Sequence, residues 1–306
     1  MEEPLMSREI AKAWIQASRP PFYIATLIPL TLGWVVAAGQ GSAWHPWRFA
    51  LINLAAFMVH LATNLANDYF DHLQGTDAGA SIGGSRVIQE HKITPETLKR
   101  VIILLYAGAF LVACYMMSAY RVWGLAPILL FSFLSSLFYV APPVRYGYRG
   151  LGEVFVGINM GPVMVVGTYW VIAGRPEWSP FYLSLPIGLM VASILYYQSI
   201  PDIDTDSSVG KRTLAVRLGK EKAIAGLFFL WLAVYISIVT LTLMGYLHKL
   251  AFLSLLSLPI LFKVIRLARQ TSDIVELDLH GKYVRILYFM NGAVIIAARA
   301  PFFFLP

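Results

Sequence analysis

The chain has 306 residues, 58% of them hydrophobic and 13% charged, with a net charge of +7 and a mean hydropathy of +0.65. A soluble domain carries roughly 25% charged residues, so this composition excludes one and specifies an integral membrane protein. The positive charge needs no nucleic-acid partner, because membrane topology and a bound polyanion account for it. The single cysteine, Cys114, lies in an apolar run and leaves no disulfide framework or paired-thiol metal site.

The N-terminus opens with Glu2, Glu3 and an amphipathic stretch from Ser7 to Ser18. Residues 1–21 are therefore expected to form a surface helix feeding a permanent span, not a cleavable signal. Against a ruler of about 20 apolar residues per crossing, nine segments qualify: 22–40, 47–67, 98–119, 123–141, 151–173, 179–200, 222–246, 248–268 and 284–305. Lys263, Arg266 and Arg299 near the ends of the last two are tolerated by snorkelling. No connection is long enough for a separate soluble domain, so residues 1–306 are read as one all-α membrane domain, a nine-helix bundle. The two longest connections, 68–97 and 201–221, are read as the catalytic loops.

Orientation follows from the basic residues. With the N-terminus cytoplasmic, only Arg48, Arg121, Arg175, Lys249 and Arg299 of the 24 Lys and Arg fall on the far side. The positive-inside rule thus places the N-terminus in and the C-terminus out, with both long loops at the cytoplasmic face of the cell membrane.

Both loops carry carboxylates, which are costly beside hydrocarbon and therefore ask for a purpose. Asn64, Asn67, Asp68 and Asp71 stand at i, i+3, i+4 and i+7 and share one face of a helix. Asp202 and Asp206 form an i, i+4 pair, and Asp204 projects to the other side. Oxygen ligands without His or Cys suit Mg2+, which usually shares its shell with substrate phosphates; a diphosphate is the natural third party. Arg86, Arg145, Lys211 and Arg212 are placed to meet it. Glu153, at the head of the fifth span, suits either a helix N-terminus or acceptor binding. Asn159, inside that span, either lines a cavity or bonds a neighbouring helix.

These residues resemble the UbiA superfamily of intramembrane prenyltransferases, from Ala17-Ser-Arg19-Pro20 through Asn67-Asp68-Tyr69-Phe70-Asp71, Tyr139-Val-Ala-Pro142-Pro143 and Tyr148-Arg149-Gly150-Leu-Gly152-Glu153 to the stretch Asp202 to Gly219. The resemblance implies a nine-helix bundle in which two Asp-rich motifs hold Mg2+ and a polyprenyl diphosphate, for transfer to an aromatic acceptor. The interval from Asp71 to Asp77, and Gly210-Lys-Arg-Thr after the second motif, look most like the 1,4-dihydroxy-2-naphthoate branch of menaquinone synthesis. Gln198-Ser199-Ile200-Pro201 stands where that branch commonly has two Asn and an Arg. Asn67, Asp68, Asp71, Asp202 and Asp206 are then expected at the metal, the four carboxylates and Tyr139 at the reaction centre, and Glu153, Asn159, Tyr197 and Gln198 near the acceptor. Other acceptors (4-hydroxybenzoate, homogentisate, a glycerol-phosphate lipid) and, in another class, a membrane transporter remain alternatives. No obligate protein partner is evident.

Overall fold

The structure is a computed structural model and describes residues 3–75 and 83–300. Asp77 and the end of the ninth expected span lie outside the described residues. These contain helices and no strand, in the order α1 (Glu3–Ser18), α2 (Ile24–Gly39), α3 (Pro46–Gln74), α4 (Pro95–Ala119), α5 (Ala126–Phe138), α6 (Gly152–Ile158), α7 (Met164–Ala173), α8 (Trp178–Gln198), α9 (Ile203–Ser208), α10 (Leu214–Leu218), α11 (Lys220–Leu243), α12 (Leu258–Gln270) and α13 (Ile274–Arg299). Local signals set several starts. Thr94 caps α4 by accepting from the Thr97 N–H ahead of Pro95, and Asp273 caps α13 by accepting from the Glu276 N–H at 2.8 Å.

Among the described residues six helical stretches are long and apolar enough to cross a membrane, namely α3, α4, α8, α11, the continuous stretch Gly152–Ala173 that contains α6 and α7, and Lys249–Gln270, which ends in α12; they are seven if the pair Arg8–Phe22 and Ile24–Gly39, bent by 54°, is one span. The stretch Trp123–Phe138 is apolar but shorter. Helix α13 is 26 residues long, yet Glu276, Asp278, Lys282 and Arg285 occupy its first half. One boundary is corrected: α3 continues through Asp68 and Asp71 to Gln74, so the first acidic cluster is on a helix and not in a loop beginning at 68. Nothing breaks the helix before Gly75, which ends it with a left-handed φ of 73°.

Side-chain contacts sort the connections into two ends. At one end Gln40 donates to Ser179 (2.7 Å) and Arg48 lies over the Tyr120 ring (4.4 Å). At the other, Arg145 donates to Gln74 (2.7 Å), the Arg212 N–H to the Tyr148 carbonyl (2.9 Å), and Lys220 to the Thr271 carbonyl (2.7 Å).

The larger buried core is shared by α2, α7, α8, α11, α12 and α13, around side chains such as Trp231, Tyr169 and Leu183. A smaller one joins α1 to the last turns of α3, the segment after Gly84 and α4, through Ala17, Ala62, Leu65, Val87 and Leu98. Helix α6 and the turn after it meet α8 backbone to backbone: a Cβ on Gly157 would stand 3.0 Å from the Gly188 carbonyl oxygen, and one on Gly161 would stand 2.6 Å from the Gly188 Cα. Small residues permit that approach, as in other membrane bundles. Between α6 and α7 the helix widens into a π turn, Asn159–Val163, around Pro162. Proline has no N–H and crowds the carbonyl four residues back, and one added residue in the turn relieves both.

Candidate active site

Three polar elements converge at the end of the bundle that carries Asp71 and Asp206. The last turns of α3 present Asp68 and Asp71; the segment 139–151 brings Tyr148; the segment 199–213, with the one-turn helix α9, brings Asp202, Asp206 and Lys211. Lys211 Nζ is 3.0 Å from an Asp206 carboxylate oxygen and 5.3 Å from the centre of the Tyr148 ring. The Tyr148 hydroxyl donates to Asp71. Lys211 and Tyr148 thus bridge two acidic segments far apart in sequence. Burial works against the ammonium, but the Asp206 and Asp71 carboxylates outweigh it and hold its pKa above the usual lysine range. For Asp202, burial and then the neighbouring Asp206 charge push the carboxyl up to about 7. Its carboxylate accepts no hydrogen bond from any described residue, and Asp204 is exposed, as its spacing implied.

Asp68 differs. It is 3% exposed, and both its oxygens are engaged by Arg19, by the Ser85 N–H (3.0 Å) and by the Ser85 hydroxyl. Arg19 stands between α1 and Pro20 with a left-handed φ of 53°. Arg86 and Arg145, also left-handed, border the same end. His45, His91 and Arg121 share that backbone region elsewhere in the chain, so the conformation alone does not mark the site.

Arg19, which holds Asp68, and Asn67, the residue before it, also line a cavity of about 190 Å³ that neither the four carboxylates nor Lys211 lines. Its polar wall holds Arg19, Asn64, Asn67, Tyr139, Asn159 and Gln198; its apolar wall holds Met160, Met164, Val191, Ile194 and Leu195. Asn64 Nδ2, Asn67 Oδ1 and Asn159 Oδ1 are buried without a hydrogen-bond partner among the described residues. Buried polar atoms are normally satisfied, so orphans clustered in one cavity indicate groups awaiting a ligand. His60 also faces it, with Nδ1 2.6 Å from the Thr26 hydroxyl.

The expected acceptor contact at Tyr197 is corrected. Its ring packs on α13 against Gly281 and its hydroxyl donates to the Leu277 carbonyl at 2.7 Å, because one helical step separates it from Gln198, which does face the cavity. The Arg212 side chain is exposed, and that residue's contribution is its backbone bond to Tyr148. Glu153 is buried in the first turn of α6 and does not line the cavity. Arg145 holds Gln74 at the rim of a neighbouring recess. Sequence reasoning assigned no role to Arg19, Ser85 or Tyr148. Arg19 and Tyr148 were visible only as members of the stretches that carry the family resemblance, and Ser85 had no such signal.

An all-helical membrane bundle, with carboxylates and a lysine beside a half-apolar cavity, defines a class of enzyme that handles an anionic head and a greasy tail together. The sequence model of the UbiA prenyltransferase family matches residues 26–275, and the chain belongs to that family: it is a membrane prenyltransferase. It is 29% identical to a 2-carboxy-1,4-naphthoquinone phytyltransferase of Synechocystis sp., over 94% of this chain and 92% of that one. To 1,4-dihydroxy-2-naphthoate octaprenyltransferases it is 29% identical in Bacillus subtilis (80% of this chain, 78% of that one) and 28% in Escherichia coli (95% and 97%). Among solved structures, a UbiA homologue from Aeropyrum pernix K1 superposes with a TM-score of 0.67 at 18% identity, covering 89% of this chain and 97% of that one. A UbiA homologue from Archaeoglobus fulgidus bound to GPP and Mg2+ gives 0.59 at 14% identity, covering 93% and 99%. At such identities the structures establish the shared fold.

Proposed function

We propose that the chain transfers a polyprenyl group from a polyprenyl diphosphate to 1,4-dihydroxy-2-naphthoate, with Mg2+ as cofactor. The observation that carries this reading is the meeting of Asp71 and Asp206 around Lys211 beside a cavity with one polar and one apolar wall. The relatives named for naphthoate substrates support the acceptor.

The donor set fits Mg2+. Asp71, Asp202 and Asp206 are hard oxygen ligands, and the Asn67 carbonyl is a buried acceptor with no partner. Among the described residues no three His, Cys, Asp or Glu side chains are grouped to hold an ion by themselves, so substrate phosphate and water would have to complete its shell. When bound, Mg2+ supplies charge neutralisation of the diphosphate as the carbon–oxygen bond breaks. Asp68 serves through its neighbours: it holds Arg19 at the cavity wall, where a guanidinium meets an anionic group of the bound substrates. Lys211 and Arg145 meet the departing pyrophosphate, with Arg86 and the exposed Arg212 further out. The Tyr139 and Tyr146 rings, 5.5 Å apart, wall the cavity, offer a π face to an allylic cation and keep out the water that would quench it.

In the bilayer we place nine helices, N-terminus in and C-terminus out, with the site facing the cytoplasm of the cell membrane. Trp44, Trp47, Trp123 and Trp178 are all exposed on the connections assigned to the outer face, as an interfacial aromatic belt would be. A transporter places coupling carboxylates at the midplane in broken helices; these lie at one end.

The test is purified protein with radiolabelled polyprenyl diphosphate, Mg2+ and a panel of dihydroxynaphthoate, 4-hydroxybenzoate, homogentisate and a glycerol-phosphate lipid. Mg2+-dependent prenylation of the naphthoate above the others supports the reading. Preference for another acceptor overturns its acceptor half, and no transfer to any overturns the whole.

A further inference from the structure

Asn159 is oriented by a closed chain of hydrogen bonds. Its Nδ2 donates to the Phe155 carbonyl (2.8 Å) and to the Ser135 hydroxyl (2.6 Å). A backbone carbonyl can only accept, so chemistry fixes which end of the carboxamide is nitrogen. Tyr146 donates its hydroxyl to the Ser135 carbonyl (2.6 Å) and stands 3.2 Å from the Ser135 hydroxyl, which it can accept. Every donor in the chain is thereby used. One acceptor is left over, the buried Asn159 Oδ1, in a residue that lines the cavity.

The remainder of the wall narrows what can meet it. The Thr63 hydroxyl donates to the Val59 carbonyl and pairs with the Ser136 hydroxyl, which also pairs with the Tyr106 hydroxyl, so they offer little to a ligand. Next to Asn159 the lining is Val156, Met160 and Met164, which suits a flat apolar ring. A carbonyl oxygen accepts from a donor and repels an anion. Arg19, on the same cavity, is the cationic group for a carboxylate.

We infer that Asn159 determines acceptor specificity by accepting a hydrogen bond from a phenolic hydroxyl on the aromatic substrate, whose carboxylate points toward Arg19. This rests on the aromatic-acceptor reading above and goes beyond it, because it says which group of the acceptor is recognised and by which atom. The π turn that begins at Asn159 is the structural reason: it widens the helix where the ring must lie.

The experiment is equilibrium binding to the full chain in detergent with EDTA, followed by tryptophan fluorescence. The ligands are 1,4-dihydroxy-2-naphthoate and its mono-methyl ethers, in which one donor becomes an acceptor. The wild type should bind one ether roughly 10-fold or more weakly than the diol, the effect of leaving a buried acceptor unmatched. Asn159→Leu should bind diol and ether within about threefold of each other, with the prenyl diphosphate KM unchanged. Equal binding of the diol and both ethers by the wild type overturns the inference without any variant, and so does a preference that survives in Asn159→Leu. Should the protein prenylate a different phenol, the naphthoate reading falls, and Asn159 is judged on that phenol and its methyl ether.

Discussion

The two acidic segments reach the same end of the bundle by opposite means. The first is carried by the rigid end of a 29-residue helix, and its innermost member, Asp68, is fully engaged by Arg19 and Ser85. The second lies on a single helical turn between loops, and Asp202 there has no hydrogen-bonded side-chain partner among the described residues and a pKa pushed up to about 7. A buried carboxylate with its partners in place organises structure. One held next to another carboxylate stores repulsion that a cation relieves on binding. On the proposed function, the contrast gives Asp68 a positioning role and leaves the α9 arm to meet the metal–diphosphate complex, with Asp71 and Lys211 joining the two.

The sharpest way to break this picture is to remove one carboxylate from each arm. Asp71→Ala and Asp202→Ala should each lower kcat by roughly 1,000-fold or more while expression and melting temperature stay near wild type. Near-normal turnover in either removes that residue from the site. Next comes Arg19→Gln, which leaves Asp68 buried with only Ser85 and should destabilise the fold by about 3 kcal/mol, since breaking a buried pair strands a charge. Melting in detergent measures it, and the Arg19→Gln, Asp68→Asn double variant should recover much of the loss. Unchanged melting in the single variant would mean that the first arm is no anchor. Ser85→Ala keeps the backbone N–H but removes one bond to a buried carboxylate, so about 1.5–3 kcal/mol is expected by the same assay.

The smallest effect is on pH. Because the Asp202 pKa rises on folding, the folded state binds the extra proton. Its contribution is present below the unfolded value near 4 and is lost as pH climbs toward about 7. In EDTA, melting temperature should therefore fall by a few degrees over that window, and Asp202→Asn should flatten the fall. A wild type and variant with parallel pH profiles would show that Asp202 is not the strained member.

Some of this was legible along the chain. The apolar segments between 22 and 268 overlap helical stretches of the structure, whereas the ninth begins ten residues inside α13 and ends outside the described residues; the i, i+3, i+4, i+7 face of Asn64, Asn67, Asp68 and Asp71 is present because α3 stays helical through it. The exposed Asp204 followed from the same periodicity. Tyr197 failed for a reason periodicity cannot supply: one residue is 100° of rotation, and only the position of α13 decides which of Tyr197 and Gln198 faces the cavity. Arg19, Ser85 and Tyr148 escaped notice because each partner is distant in sequence, 49, 17 and 77 residues away.

What the sequence determined by itself is what depends on neighbours: apolar runs long enough for a bilayer and carboxylates spaced on one face. Helix geometry is local, so a linear pattern suffices to fix it. Only the tertiary structure decided that Lys211 stands between Asp206 and Asp71, that Asp68 is engaged while Asp202 is not, and that Asn159 keeps one oxygen free. Those are matters of burial and of contacts made across the bundle, and the free energy of a charge is set by what surrounds it in space, whatever its distance along the chain.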